Sequence, residues 1–258
     1  MGSIENSLPI IQSLWVGKTL TIMERLCISS FLKNGHTFHL YTYDEIENAP
    51  KGTILKDANT IIPSSLIFKY KDRDTYAGFS NIFRYKLIYE KGNFWVDMDI
   101  ISLKPFMFNQ DYIFAGGRER RFLGFQINNF HGGCSVIKAP PESEILKYSY
   151  EITSGKNSKE ILWGEIGPKF FETAIKKFGL ESSVADFGTF STVEWQYWYR
   201  FISNSLHVNL KEQIKLILYR SHSIHLYNEM WRLNEIDKNA SFPKTCIYEK
   251  LKRKYDVH

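Results

Sequence analysis

The residues of this sequence best suited to chemistry are two aspartates, Asp97 and Asp99, in the segment WVDMDI at residues 95–100. A single residue, Met98, separates them, and the flanking residues are apolar, as in a buried β-strand. Side chains of a strand alternate between its two faces, so we expect both carboxylates to leave the same face. Two adjacent buried carboxylates are unfavourable without a cation or hydrogen-bond donors. The pattern therefore predicts a site for magnesium or manganese, which prefer hard oxygen ligands.

The spacing of these aspartates is weak evidence alone, because the sequence contains a second pair, Asp72 and Asp74, around Arg73. With ten aspartates in the chain, chance gives on the order of 0.4 such triplets. The second pair lies in the charged stretch at residues 69–74, which we predict to be a solvated loop. Only Asp97 and Asp99 lie in the C-terminal half of a buried strand, where α/β sheets commonly bind ligands.

A helix predicted at residues 76–91, just before the strand, carries two further candidates, Asn81 and Arg84. They are three residues apart and so share a face, whereas the opposite face is expected to be core. Arg84 either clamps an anionic group through two parallel hydrogen bonds or forms an ion pair with one of the aspartates. The sequence leaves both possibilities open.

The elements that must position these residues alternate between strands and helices. We predict strands at residues 9–16, 38–43, 94–101, 112–115 and 135–137, and helices at residues 20–33, 76–91, 142–152 and 168–178. A βαβ opening favours a mostly parallel sheet covered by helices. Because no linker interrupts the alternation, the prediction is one α/β domain over residues 1–258.

Composition indicates a folded protein from a reducing compartment. Hydrophobic residues make up 43% of the chain, and the three cysteines form no CxxC pair, which argues against a disulfide framework or a zinc knuckle. The first residues lack the layout of a secretory signal, and no apolar run reaches the roughly 18 residues of a membrane span. A cytoplasmic location is therefore expected.

The positive charge is concentrated at the C-terminus. Residues 244–258 carry five basic and two acidic residues, which gives +3 of the net +5. Such a tail fits an anionic membrane, a nucleic acid or simply a solvated helix end. We predict that residues 247–255, with Ile247, Tyr248 and Leu251, contact the inner face of the plasma membrane.

Residues 79–106, FSNIFRYKLIYEKGNFWVDMDIISLKPF, resemble the signature of the small sugar transferases that carry an Asp-x-Asp motif. That family includes capsular polysaccharide and lipopolysaccharide glycosyltransferases and is related to yeast mannosyltransferases and the globotriaosylceramide synthase type. Further similarity lies in PIIQSLWVG at residues 9–17, WGEIGP at 163–168 and SIHLYNEMW at 223–231. Two positions depart from the pattern. Asn81 replaces an aspartate, which bears on donor identity, and Asn93 replaces a glycine, which predicts a different turn before the strand.

The resemblance implies a GT-A fold, with a single Rossmann-like mixed sheet flanked by helices. It implies a nucleotide-sugar-binding half at about residues 1–140 and an acceptor half with a closing C-terminal segment at about 141–258. It also implies a metal-dependent hexosyltransferase, with Mn²⁺ or Mg²⁺ and a UDP-sugar donor. Asp97, Asp99 and His225 would hold the metal, and Arg84, Asp97 and Asp99 would be catalytic. The donor would be bound by Trp15, Asn81, Arg84, Asp97 and Trp231. Asn129 is either a further contact of the donor sugar or a loop residue.

The family generally retains the configuration of the transferred sugar, and galactose is the expected sugar. The expected acceptor is a glycan or lipid-linked glycan of a bacterial surface polysaccharide. If the enzyme instead inverts, Glu165, Asp186 and Glu194 are candidate bases. The aromatic stretch at residues 195–199 is either an acceptor platform or core. The rival functions are a metal-dependent phosphohydrolase or nuclease, which needs more acidic ligands, and a nucleic-acid-binding module, for which no recognition motif is present.

Overall fold

The computed structural model describes residues 8–118, 130–186 and 188–258. Its strands are β1 (Ile11–Trp15), β2 (Phe38–Thr42), β3 (Ile54–Asp57), β4 (Asn93–Val96), β5 (Ile100–Ser102), β6 (Ile113–Arg118), β7 (Phe130–Ala139) and β8 (Ser223–His225). Its helices are α1 (Ile22–Lys33), α2 (Ala77–Lys91), α3 (Glu144–Ser154), α4 (Pro168–Lys177), α5 (Leu206–Leu218), α6 (Asn228–Leu233) and α7 (Ile247–Tyr255). Short 3₁₀ segments lie at Ala58–Thr60, Ser64–Leu66, Glu181–Ser183 and Trp195–Ile202.

Six strands form one mixed sheet in the order β3-β2-β1-β4-β7-β6. The first four in this order run parallel, and β7 runs antiparallel to both of its neighbours. The remaining strands, β5 and β8, pair with each other in a separate two-stranded sheet. The predicted fold class, an α/β fold with a mixed sheet flanked by helices, is confirmed.

Alternate residues of the central strand β4 point into two different cores, as the period of a strand requires. Phe94 and Val96 pack with side chains of α1, α7 and the 3₁₀ segment Trp195–Ile202. Trp95, between them, packs with side chains of α2, α3 and α4. The central strand β4 is therefore buried on both faces, which explains why it is a nearly continuous apolar run.

The strand predicted at residues 94–101 is wrong in one respect that matters for the site. The main-sheet strand β4 ends at Val96, residues 97–99 form a turn, and the chain leaves the main sheet as β5. The Ile100 amide donates to the carbonyl of Asp97, at 3.0 Å, and so closes this turn. Asp97 and Asp99 therefore do not share a strand face, and another feature must bring them together.

The helix predicted before this strand is confirmed as α2, but its two predicted faces are not distinct. Asn81 and Arg84, expected on a polar face, are as buried as the apolar residues opposite them. The reason is that both side chains face protein groups: Arg84 donates to the carbonyl of Cys134 on β7 and lies over Trp95 of β4, and Asn81 contacts Tyr70 and Cys134. Gly92 ends the helix in the left-handed region at φ 61°, and Asn93 follows at φ 67°.

The C-terminal helix α7 is integrated into the core. Ile247, Tyr248, Leu251 and Tyr255 are at most 5% exposed and pack with α1 and with the 3₁₀ segment Trp195–Ile202. The apolar side chains that suggested a membrane contact by this tail are thus unavailable for one. Within the described ranges, no helix combines the length and apolar character needed to cross a bilayer.

Candidate metal centre

The pairing of β5 with β8 brings distant parts of the sequence together. Ile100 is the cross-strand partner of His225, so Asp99, one residue earlier, lies at the end of the ladder beside the imidazole. The Asp99 Oδ2 and His225 Nε2 atoms are 3.3 Å apart. The turn after Val96 then places Asp97 close to both, because it leads directly from β4 into β5.

Asp99 is held firmly on one side and left open on the other. Its Oδ2 accepts a hydrogen bond from the backbone amide of Asn228 at 2.7 Å, and its carbonyl accepts one from the amide of Leu226 at 2.9 Å. Its Oδ1 is buried and has no hydrogen-bond partner among the residues that the structure describes. A buried carboxylate oxygen without a donor is unfavourable unless a ligand satisfies it, so this atom marks a place for a cation.

Asp97 is oriented by two side chains that both contact its Oδ1 atom. The Trp95 indole Nε1 donates to it at 2.9 Å, and the Arg84 guanidinium Nη1 lies 3.0 Å away. Neither of these contacts involves Oδ2. This arrangement fixes the carboxylate plane while one oxygen stays available to a ligand.

The electrostatics of the three groups are tightly linked. Burial raises the pKa of Asp97, and Asp99 adds to this effect while Arg84 opposes it. Burial also disfavours the Asp99 carboxylate, but the neighbouring His225 outweighs it and the pKa of Asp99 is lowered. For His225, burial lowers the pKa, but the two carboxylates prevail and the pKa is raised. Asp99 and His225 therefore each stabilise the charged form of the other.

Ligand atoms of Asp97, Asp99 and His225 all lie within 4.8 Å of one another. Two carboxylates and one imidazole form a donor set that suits manganese or magnesium, with further positions free for phosphate oxygens. The orphaned Oδ1 of Asp99 and the open Oδ2 of Asp97 fit such an ion. The predicted ligand set is thus brought together by the fold, although by a route that differs from the predicted strand.

Of the two roles predicted for Arg84, the structure shows the ion pair with an aspartate. It is 4% exposed, pairs with Asp97, donates to the carbonyl of Cys134 and lies 4.9 Å from the centre of the Trp95 ring. Its guanidinium is thus surrounded by protein groups. In this arrangement Arg84 orients a metal ligand, and the predicted clamp on an anionic substrate would require it to change partners.

Asn81 is also nearly buried, at 5% exposure. Its amide nitrogen donates to the Tyr70 hydroxyl at 3.3 Å, and the thiol of Cys134 lies 3.7 Å from its amide oxygen. Its contacts are therefore within the protein, and the predicted contact with the donor stays a prediction.

The two tryptophans predicted at the donor lie in different environments. Trp15 ends β1 at the sheet edge from which Asp97 also emerges, is partly exposed, and donates from Nε1 to the carbonyl of Thr19 at 3.2 Å. Trp231 is fully buried, donates to the carbonyl of Leu226 and packs against Trp198 and Tyr248. As folded here, Trp231 anchors the closing segment instead of facing a ligand. The predicted residue Asn129 lies outside the described residues.

Sequence reasoning missed three residues that build the site. Trp95 donates to Asp97, Tyr227 stacks on the His225 ring with centroids 4.1 Å apart, and the amide of Asn228 holds Asp99. Tyr227 has a left-handed backbone at φ 57°, which is uncommon for a bulky residue and turns the chain so that the next amide faces Asp99. Only Trp95, two residues before Asp97, carried a signal in the sequence.

The second aspartate pair behaves as predicted for a solvated loop. Asp74 is exposed and forms an ion pair with Lys69, while Asp72 accepts a hydrogen bond from the amide of Trp163 at 3.1 Å. Within residues 8–118, 130–186 and 188–258, one group of three or more His, Cys, Asp or Glu side chains has the spacing of a metal site. It consists of Asp97, Asp99 and His225. A two-metal hydrolase or nuclease would need additional acidic ligands, so that alternative is not favoured.

The candidate base Glu165 and the aromatic stretch at residues 195–199 have the following surroundings. Glu165 forms an ion pair with Lys156. In the 3₁₀ segment Trp195–Ile202, Trp195, Tyr197 and Tyr199 are exposed, whereas Trp198 is buried. The aromatic stretch at residues 195–199 therefore combines both predicted alternatives, with one aromatic in the core and three on the surface. Their role in acceptor binding stays a prediction.

Neither a family model nor a curated protein sequence matches the chain. Among solved structures, it is similar to the PaToxG glycosyltransferase, with 13% identity over 97% of this chain and 86% of that one, at a TM-score of 0.47. It is similar to the bifunctional glycosyltransferase WbbM, with 9% identity over 98% of this chain and 52% of that one, at a TM-score of 0.45. It is also similar to the galactosyltransferase LgtC, solved with donor and acceptor sugar analogues, with 11% identity over 91% of this chain and 84% of that one, at a TM-score of 0.39.

Proposed function

We propose that this protein is a metal-dependent glycosyltransferase that moves a hexose from a UDP-sugar to a glycan acceptor. The observation that carries the proposal is the cluster of Asp97, Asp99 and His225 at the carboxyl edge of the sheet, with a buried, unpartnered oxygen on Asp99. In open α/β sheets, ligands bind outside the carboxyl ends of the strands. The motif order that resembles the small sugar transferases supports the same reaction class.

A divalent cation bound there would act as a Lewis acid and stabilise the negative charge that develops on the departing nucleoside diphosphate. The contribution of the chain itself is to hold the ligands. Arg84 and Trp95 fix Asp97 through one oxygen, and the amide of Asn228 fixes Asp99 through one oxygen. Each aspartate thus offers its second oxygen without reorganisation. Arg84 is a positioning residue in this proposal.

Trp15 is the side chain best placed to contact a base. It ends β1 on the same edge as Asp97, and part of its ring is exposed. An aromatic face at this edge suits stacking with the uracil of the donor. We propose galactose as the sugar, retention of its configuration, and an acceptor in bacterial surface polysaccharide synthesis, on the resemblance of the sequence motifs.

The proposal is tested by a donor screen. The purified protein is incubated with UDP-glucose, UDP-galactose, UDP-N-acetylglucosamine and GDP-mannose in Mn²⁺ or EDTA, and release of the nucleoside diphosphate is measured. We expect Mn²⁺-dependent release from a UDP-hexose, and at least a hundredfold loss in Asp99→Asn. Asp74→Asn, which removes a charge from the exposed second pair, is the matched control and should retain activity. Equal rates in EDTA, or release unaffected by Asp99→Asn, would contradict the proposal.

A further inference from the structure

Helix α5 has the reverse of the usual amphipathic pattern. A surface helix normally buries its apolar stripe and exposes its polar side chains. In α5 the fully buried positions are Asn209 and Glu212, at 2% and 0% exposure. The large apolar side chains face outward instead, with exposures of 69% for Leu206, 60% for Leu210, 45% for Ile214, 75% for Ile217 and 74% for Leu218. Their spacing of three or four residues aligns most of them along one side of the helix.

The inward polar residues hold the helix in this orientation. The Glu212 carboxylate lies 2.7 Å from Nη1 of Arg200 and 3.1 Å from Nζ of Lys215. The Asn209 amide donates to the carbonyl of Ser203 at 3.0 Å. Turning the helix to bury its leucines would break these buried contacts, and a buried carboxylate that loses its cation is costly. The apolar stripe is therefore a fixed feature of the surface.

Basic side chains border the stripe. A cavity of about 500 Å³ lies between α5 and α7, and Ile217 is part of both the stripe and the cavity lining. All four charged residues that line the cavity are basic, namely Lys104, Arg220, Lys250 and Lys254. Lys211 adds a further exposed cation on α5, and Glu212 is the one acidic residue between positions 195 and 228. Burial and the neighbouring Arg220 lower the pKa of Lys104, as expected where cations are crowded.

We infer that the exposed face of α5, together with the basic cavity rim beside α7, docks on the surface of an anionic lipid bilayer. Apolar side chains flanked by lysine and arginine are the composition that binds the interface of such a membrane. Each basic residue near an anionic surface strengthens the attraction to it, and the apolar stripe adds burial in the acyl boundary. This surface differs from the predicted one, since the apolar side of α7 is inside the protein.

Charge complementarity favours a bilayer over a second copy of the chain. A symmetric dimer through this face would bring two sets of like charges together, which is unfavourable across an interface. An anionic lipid surface carries the opposite charge and can contact the exposed face of α5 and the basic cavity rim at the same time. The inference is independent of the chemistry proposed for the metal centre.

The test is flotation of the full chain with vesicles of phosphatidylcholine alone or with 30% phosphatidylglycerol, in low and high salt. We expect binding to the anionic vesicles that weakens in salt. The variant Leu210→Gln/Ile217→Gln should reduce the partition coefficient at least tenfold. The matched control is Leu66→Gln/Leu162→Gln, because Leu66 and Leu162 are 60% and 51% exposed but lie outside α5. Thermal unfolding should show that both variants remain folded, because all four positions are exposed.

Two outcomes would overturn the inference. One is absence of binding by the wild-type chain to anionic vesicles, or binding reduced equally by both double variants. The other is a concentration-dependent dimer in light scattering that Leu210→Gln/Ile217→Gln abolishes, which would assign the face to a second copy. In either case the nucleotide-sugar assay of the metal centre is unaffected and is judged separately.

Discussion

At the scale of single residues, the site depends on which oxygen of each aspartate is engaged. Arg84 and Trp95 contact only one oxygen of Asp97, and one oxygen of Asp99 has no partner within the described part of the chain. A carboxylate that is half satisfied by fixed donors keeps its orientation and still has a ligand to offer. Arg84 is thus as much a part of the centre as the ligands are, although it is 4% exposed.

We predict that Arg84→Met lowers the free energy of unfolding by about 3 kcal/mol, since it leaves the Asp97 carboxylate without its buried cation. The double variant Arg84→Met/Asp97→Asn removes both charges and should lower the free energy of unfolding considerably less. Urea denaturation of the two single variants and the double variant measures this coupling. Losses that simply add would show that the two side chains are energetically independent, against this interpretation.

At the scale of elements, the turns around β4 decide where the aspartates go. The sequence predicts α2, β4 and the end of the helix at Gly92, because apolar periodicity and a glycine are local signals. The turn at residues 97–99 could not be predicted in this way. It depends on pairing between β5 and β8, which are more than 120 residues apart in the sequence. The same long-range pairing places His225 beside Asp99. Strand periodicity could not predict this contact, whereas the family resemblance predicted His225 as a metal ligand.

The turn before β4 offers a prediction about Asn93, which stands where the resembling family has glycine. Its φ of 67° lies in the left-handed region, which asparagine and glycine tolerate and other residues adopt at a cost of about 1 kcal/mol. Asn93→Gly should therefore leave the free energy of unfolding within about 0.5 kcal/mol of wild type, whereas Asn93→Ala should lower it by about 1 kcal/mol. Thermal or urea unfolding checks both. Equal destabilisation by the two changes would mean that the asparagine side chain, and not its backbone conformation, is what the turn requires.

At the scale of the whole molecule, two helices near the C-terminus bury opposite kinds of side chain. The basic α7 buries its apolar residues in the core, and α5 exposes its own. Composition alone could not distinguish the two, because each contains apolar residues at helical spacing beside lysines. What separates them is the tertiary environment, in which α1 and the 3₁₀ segment Trp195–Ile202 cover α7, and the Glu212 ion pairs orient α5.

We predict that α7 is required for folding. Leu251→Ala should lower the free energy of unfolding by about 2–5 kcal/mol, as for other large-to-small changes in a packed core. The exposed neighbour Lys254→Ala is the control and should change it by less than about 0.5 kcal/mol. Deletion of residues 247–258 should abolish the cooperative unfolding transition, so membrane binding is better studied with surface variants of α5. A folded, stable deletion variant would contradict the role of α7 in the core.

The central claim is that Asp97, Asp99 and His225 hold a divalent cation that binds the diphosphate of a nucleotide sugar. The most direct measurement is calorimetric titration of UDP into wild type, Asp99→Asn and the control Asp74→Asn, in Mn²⁺ and in EDTA. We expect UDP binding in Mn²⁺ by wild type and Asp74→Asn, and at least a tenfold weaker affinity in EDTA or with Asp99→Asn. UDP binding that depends on neither the metal nor Asp99 would contradict the claim, as would the absence of binding by the wild-type chain with Mn²⁺. Either result would mean that the carboxylate cluster has a structural role.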